Sequence, residues 1–172
     1  VLIEPIKADL DLSDTQLGVL TGFAFSLTYA LFGIPLARLA DTRNRVKLLS
    51  ICLAVWSAAT AIAGLAQSFI QLALTRVMVG IGEAGGAPST VSMIGDFYAP
   101  ENRSRGMSWY QLGGAAGGTL GLALVGVLAD HYGWRVALFA MGLPGVVLSI
   151  VLVLTLREPS RGLHQSASSK FD

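Results

Sequence analysis

Charge is scarce in this chain: only 13% of its 172 residues are Asp, Glu, Lys or Arg, whereas 53% are hydrophobic. Soluble globular domains carry about 25% charged residues, so the composition excludes an ordinary soluble domain. The formal net charge is only +1, which gives no reason to expect a nucleic-acid partner. The composition therefore predicts an all-α, polytopic membrane helix bundle, with the few charges placed between long apolar segments.

Cysteine and histidine are also nearly absent. A single cysteine, Cys52, excludes an internal disulfide. The two histidines, His131 and His164, form no cluster with the spacing of metal ligands. No serine stands in the Gly-x-Ser-x-Gly frame of a hydrolase nucleophile. We therefore expect no metal, no cofactor and no enzymatic activity.

Long apolar segments are what the sequence does contain, and five of them reach the length of about 20 residues that a membrane helix needs. They cover residues 14–40, 47–66, 69–98, 105–129 and 135–157, with a polar tail at 158–172. Ser13 and Gln16 have the spacing of a capping box at the start of the first span. Residues 1–3 are interpreted as the end of an earlier span that has been cut away, so the chain (residues 1–172) is predicted to be a fragment of one six-span domain.

Basic residues are distributed unevenly around these spans. Four follow the first span, two follow the third and three follow the fifth, whereas only Lys7 and Arg135 lie on the other side. Basic loops stay in the cytoplasm. We therefore predict a multi-pass protein of the plasma or inner membrane, with the loops after spans one, three and five in the cytoplasm.

Two charges, Arg76 and Glu83, lie deep inside the third span. An ionised group at bilayer depth costs about 3 kcal/mol on insertion scales, so such residues usually face a cavity or a partner. They are seven positions apart, which places them on one face of a helix and roughly 10 Å apart along its axis. We predict that they bind substrate or couple transport to protons. A fixed structural ion pair is the alternative.

Glycines recur in the third and fourth spans. The segment 80–85 matches the dinucleotide-binding pattern G-x-G-x-x-G, but it lies within a membrane-length apolar segment and follows no strand, so that function is rejected. Gly80 and Gly82 are instead interpreted as helix-packing positions, because small residues let membrane helices approach closely. The fourth span carries a glycine series with the same predicted packing role, or a hinge role as the alternative: Gly113, Gly117 and Gly121.

The short loop after the first span holds Asp41, Arg43 and Arg45. An ordinary positive-inside loop explains such a charge pattern. The alternative is a tight turn whose fixed charges latch against another helix end. Asp96, at the cytoplasmic end of the third span, is placed by its sidedness to pair with Arg45, Arg103 or Arg105.

These residues together resemble the major facilitator superfamily, over essentially the whole chain. The family's cytoplasmic link between its second and third helices carries the signature Asp-Arg-x-Gly-Arg-Arg. Asp41 and Arg45 match this signature, whereas Thr42, Asn44 and Val46 depart from it. The chain is similar to the N-terminal six-helix half, with most of the first helix missing.

Further matches are similar to the Spinster-like branch of that family. The fourth family helix carries an arginine followed by glycines, as Arg76 is followed here. Three segments together are similar to that branch: Asp41-x-x-Asn44-Arg45, Trp56-Ser57 and Gly80-Ile81-Gly82-Glu83-Ala84. In addition, Gly133-Trp134-Arg135 is similar to a turn that the family has before the last span.

The resemblance implies a secondary transporter that moves a small or amphiphilic solute by alternating access, coupled to an ion or proton gradient. It implies that Arg76 and Glu83 line the central site, and that Asp41 and Arg45 belong to a cytoplasmic gate. The gate candidates on that side are Asp41, Arg45, Asp96, Arg103 and Arg105. The implied partners are the lipid bilayer, the missing first helix, the C-terminal half and a small-molecule or lipid-like substrate. A non-transporting membrane scaffold or assembly module is the alternative.

Overall fold

The computed structural model describes residues 2–162, where helices joined by short turns form the fold and no β-strand occurs. The predicted all-α class is confirmed. Residues 163–172 of the predicted polar tail, and Val1, lie outside the described residues. The helices are α1 (Ile3–Leu10), α2 (Asp14–Gly18), α3 (Ala24–Thr42), α4 (Arg45–Ala63), α5 (Phe69–Ala84), α6 (Gly86–Phe97) and α7 (Arg103–Thr155).

Three helical segments of the described chain are long and apolar enough to cross a membrane. They are Asp14–Thr42, Arg45–Ala63 and Pro100–Thr155. The last is a short 3₁₀ turn followed by α7, which is bent at Gly133 into two arms. Gly133 has φ 83° and ψ 161°, a conformation that essentially only glycine adopts without strain. The predicted fourth and fifth spans lie on these two arms.

The segment 69–98, predicted as one helix, is divided at Gly85 into α5 and α6. The cause lies one turn later, at Pro88. Proline has no N–H to donate to the carbonyl of Ala84, and its ring crowds that carbonyl. At the break, the Gly85 N–H donates to the Glu83 carbonyl, only two residues back. The break therefore falls two residues after Glu83.

Helix starts are fixed by short polar side chains. The predicted capping box is present, because the Ser13 N–H donates to Gln16 Oε1 at 2.9 Å and the Gln16 N–H donates to Ser13 Oγ at 3.2 Å. The Lys47 N–H donates to Asn44 Oδ1 at 2.8 Å, which caps α4 directly after α3 ends at Thr42. These caps satisfy backbone donors that have no partner within the helix.

The core is centred on α4, which packs against α5, α6 and the second arm of α7. The approach to α7 is close at Gly142, where an added Cβ would stand 2.5 Å from the Ala61 nitrogen and 2.6 Å from the Ser57 carbonyl oxygen. A second buried cluster joins α1, α2, the start of α5 and α7, with Ile6, Leu17, Leu72 and Trp134 among its members. This packing holds α1 beside the wall of the cavity described next.

Candidate functional site

A cavity of about 340 Å³ lies between α1, the helical wall from α2 to α3, and α5. Arg76 and Glu83, the two charges that the sequence predicts at bilayer depth, both line it. The other lining residues are Leu2, Ile3, Ile6, Leu17, Leu20, Thr21, Phe25, Leu72 and Val79. An apolar cavity with a few polar groups converging on it is the usual form of a small-molecule site.

Glycines on α5 allow this arrangement, because they bring α5 close to two neighbouring helices. At Gly80 an added Cβ would stand 2.9 Å from the Phe25 carbonyl oxygen of α3. At Gly82 it would stand 2.8 Å from the Trp56 nitrogen of α4. Both glycines thus lie at close helix contacts, while the two charged residues of α5 border the cavity.

The two charges do not form a close ion pair with each other. Among residues 2–162, the ion pairs within 4.0 Å are Lys7–Asp14, Arg45–Asp96, Arg45–Glu158 and Arg135–Asp9. Arg76 and Glu83 are each partly exposed on the cavity wall. In this arrangement both groups remain available to a solute or a proton.

A π-helical turn, Val19–Phe23, forms part of the opposite wall. The Ala24 N–H donates to the Val19 carbonyl, five residues back. Such single turns are rare and often occur at functional sites. The turn carries Leu20 and Thr21 to the cavity, and sequence analysis did not find it, because no residue type specifies a π turn.

Two of the five predicted gate residues, Arg45 and Asp96, are in contact, and the Arg45 side chain is only 1% exposed. Its Nη1 contacts Asp96 Oδ2 at 2.5 Å and Ser92 Oγ at 3.0 Å. Its Nε donates to Glu158 Oε1 at 2.7 Å, and its Nη2 donates to the Pro159 carbonyl at 3.0 Å. Of the three cations that sequence analysis offered to Asp96, the structure places Arg45 beside it.

The other gate candidates lie elsewhere. Arg103 donates from Nε to the Gly95 carbonyl at 3.1 Å rather than to Asp96. Arg105 is exposed and borders a groove that includes Trp109. The exposed Asp41 contributes its backbone carbonyl, which accepts from Arg161 Nη1. Of the three cations open to Asp96, Arg45 is therefore the one in contact with it, while Arg103 donates to a carbonyl of α6.

Two residues of this cluster, Glu158 and Arg161, were missed in the sequence. Glu158 also accepts from the Val46 N–H at 3.0 Å, and Arg161 donates from Nη2 to the Ala40 and Arg43 carbonyls at 2.8 and 2.5 Å. Burial raises the pKa of the Glu158 carboxyl, but the Val46 and Arg45 contacts outweigh it and hold that pKa below its usual range. The available signal was sidedness, since an acid after the fifth span lies on the same side as Arg45.

The glycine series of the fourth span meets almost no neighbour within the described chain, so its packing role stays a prediction. An added Cβ at Gly113 or Gly117 would meet nothing within 4 Å among the described residues, and at Gly121 it would meet only Met141 Cε at 3.5 Å. The first arm of α7 turns this face away from the rest of the bundle. The spacing was that of a packing seam, but spacing alone does not say which side of a helix is covered.

A second arginine cluster lies at the opposite end of the bundle. Arg135 pairs with Asp9 of α1, donates from Nη2 to the Ala66 carbonyl at 3.0 Å, and stacks its guanidinium 4.2 Å from the centre of the buried Trp134 ring. This clamp joins α1, the α4–α5 turn and the second arm of α7. Each end of the bundle is thus tied by one arginine.

An all-helical bundle with membrane-length helices and a charged, apolar-walled cavity defines a multi-pass membrane transporter fold. The chain belongs to the major facilitator superfamily, whose family model matches residues 1–171. The resemblance of its motifs to the Spinster-like branch is confirmed by the comparisons that follow.

The relatives are transporters. The chain is 41% identical over 92% of its length to an MFS-type efflux pump of Mycolicibacterium smegmatis, covering 37% of that protein. It is 30% identical over 84% of its length to a probable L-galactonate transporter of Escherichia coli, covering 32% of it. A crystal structure of a bacterial homolog to the human lysosomal transporter Spinster, inward-facing and unoccupied, matches 94% of the chain with a TM-score of 0.83 and 38% identity, over 39% of that protein. The chain therefore spans about two fifths or less of each of these proteins.

Proposed function

We propose that this chain belongs to the N-terminal half of a secondary active transporter, which moves a small or amphiphilic solute by alternating access and is coupled to an ion or proton gradient. The observation that carries the proposal is the cavity that Arg76 and Glu83 share without a close ion pair. Charges at bilayer depth are kept where they serve a pathway or a partner. A first helix and a C-terminal half, like those of the longer relatives, are proposed to supply the remaining walls.

The substrate is proposed to carry an anionic group. Arg76 offers a permanent cation that can donate several hydrogen bonds to a carboxylate or phosphate. The L-galactonate transporter named above acts, by its name, on a carboxylate. Glu83, seven residues along the same helix, is proposed to exchange the coupling proton, because a carboxylate beside a cation can change its protonation when a solute neutralises that cation.

The Arg45 cluster is proposed as the cytoplasmic gate. Hydrogen bonds in this cluster join the start of α4 to the ends of α3 and α6 and to the segment that follows α7. Asp41, Arg103 and Arg105 are proposed to lie on the same cytoplasmic face, in a plasma or inner membrane. Such a cluster can be broken and remade as a unit when the two halves of a transporter rock.

The test is transport by the full-length protein in proteoliposomes. Arg76→Ala is expected to raise the KM for an anionic solute by at least about tenfold, since a hydrogen bond to a charged group contributes about 1.5–3 kcal/mol. Glu83→Gln is expected to abolish the dependence of uptake on a proton gradient. Arg157→Ala and Glu101→Gln, which change exposed cytoplasmic charges, are the matched controls. Unchanged uptake and unchanged pH dependence in both cavity variants would remove the proposed role of this pair.

A further inference from the structure

Three of the eleven residues that line the cavity have polar side chains: Arg76, Glu83 and Thr21. The first two lie on α5, and the proposed function uses both. Thr21 lies on the other wall, in the π turn Val19–Phe23, and no role has been assigned to it. Every other side chain on the lining is apolar, so Thr21 is the only polar group that this wall offers to a solute among the described residues.

The hydroxyl of Thr21 has its hydrogen committed. Thr21 Oγ1 donates to the Leu17 carbonyl at 2.8 Å. A threonine hydroxyl has one hydrogen to donate and two lone pairs that accept. With its hydrogen engaged by the backbone, Thr21 presents an acceptor to the cavity. It therefore suits a solute that brings a donor, such as a hydroxyl or an ammonium group.

We propose that Thr21 is a specificity-determining residue, which accepts a hydrogen bond from a hydroxyl or amino group of the anionic solute. The inference rests on the proposed function, in which Arg76 holds the anionic group. The solute would then be recognised at two points on opposite walls, with its apolar body against the leucine and isoleucine side chains between them. A solute that lacks the donor would leave the Thr21 oxygen desolvated without a partner, which costs binding energy.

The chain offers a matched control in Thr28, two turns further along the same wall. Its hydroxyl also donates to backbone carbonyls, those of Ala24 at 2.7 Å and Phe25 at 3.0 Å. It lies against Gly80 of α5 and is not among the cavity-lining residues. Thr28→Val therefore removes the same group, in the same kind of local hydrogen bond, at a position that the solute does not reach.

The experiment measures binding to the purified full-length transporter by isothermal titration calorimetry. The probes are phenylacetate, which has no hydroxyl, and its hydroxylated counterparts mandelate and 4-hydroxyphenylacetate, whose hydroxyls lie near to and far from the carboxylate. The unsubstituted protein is expected to bind at least one hydroxylated probe about three- to tenfold more tightly than phenylacetate, the effect of one neutral hydrogen bond. Thr21→Val is expected to abolish this preference and to keep the affinity for phenylacetate, which also shows that the variant is folded. Thr21→Ser and Thr28→Val are expected to keep the preference.

The outcomes separate this inference from the proposed function. If Thr21→Val keeps the preference for a hydroxylated probe, or if the unsubstituted protein binds all three probes equally, Thr21 does not accept a hydrogen bond from the solute. The inference is then overturned, while the proposed anion site stands. If Thr28→Val abolishes the preference as fully as Thr21→Val, the effect is structural and the inference is again overturned. If no carboxylate binds and Arg76→Ala changes nothing, the proposed anion site fails, and the inference fails with it.

Discussion

Replacing Arg45 by alanine is expected to destabilise the bundle by about 3 kcal/mol. The side chain is 1% exposed and contacts two carboxylates, whose side chains are 13% and 23% exposed in Asp96 and Glu158. Removing one partner of a buried ion pair costs about 3–5 kcal/mol, because the remaining charge is left uncompensated. The lower end applies here, since Asp96 keeps the Gly162 N–H at 3.0 Å and Glu158 keeps the Val46 N–H at 3.0 Å.

The assay is equilibrium unfolding of the chain in dodecyl maltoside micelles titrated with sodium dodecyl sulfate, followed by tryptophan fluorescence. Arg43→Ala is the control from the same turn, because Arg43 is exposed and its replacement should change the free energy of unfolding by no more than about 0.5 kcal/mol. The loss of free energy of unfolding in Arg45→Lys should lie between those of the two alanine variants. Lysine keeps the charge but lacks the planar guanidinium that contacts several partners at once. If Arg45→Ala is no more destabilising than Arg43→Ala, the cluster does not stabilise this end of the bundle and the reasoning fails.

Three other predictions concern pH, packing and orientation. The pKa of Glu158 is lowered in the folded protein. The stability that its charge contributes is therefore present above the ordinary pKa of about 4.3, and it is lost as the pH falls through the lower folded value. The unsubstituted chain should melt at a higher temperature than Glu158→Gln at pH 7, and this difference should disappear in strong acid. Gly82→Ala should cost about 1–3 kcal/mol by overpacking against α4, whereas Gly117→Ala, with open space around it, should be neutral or slightly stabilising in chemical unfolding of the same chain. In intact cells, a membrane-impermeant maleimide should label His131→Cys and not Glu101→Cys, with little background because Cys52 is buried; the reverse pattern would invert the predicted orientation.

Local features were predictable from the sequence because they depend on neighbours in the chain. Apolar segment length and low charge predicted the all-α membrane fold. The seven-residue spacing of Arg76 and Glu83 predicted one shared face, and both residues border the same cavity. The Ser13 capping box required only a serine and a glutamine at the right spacing.

Tertiary partners were not predictable in this way. Glu158 contacts Arg45 across more than a hundred intervening residues, and in the sequence it had been assigned only to the polar tail. Periodicity does not say which face of α7 is covered. Gly117 has no neighbour within 4 Å among the described residues, whereas Gly142, which sequence analysis overlooked, lies against the α4 backbone. The π turn that presents Thr21 depends on hydrogen-bond register, for which amino-acid type is a weak guide.

The segment after α7 has a mechanical consequence. Glu158, Arg161 and Gly162 bind, respectively, the start of α4, the carbonyls at the end of α3, and Asp96 at the end of α6. The segment up to Gly162 is thus held to the bundle by hydrogen bonds at three points. Two of these contacts continue to one side chain, because Asp96 and Glu158 both bind the guanidinium of Arg45. A displacement of this segment would therefore disturb three helix ends at once: the start of α4, the end of α3 and the end of α6.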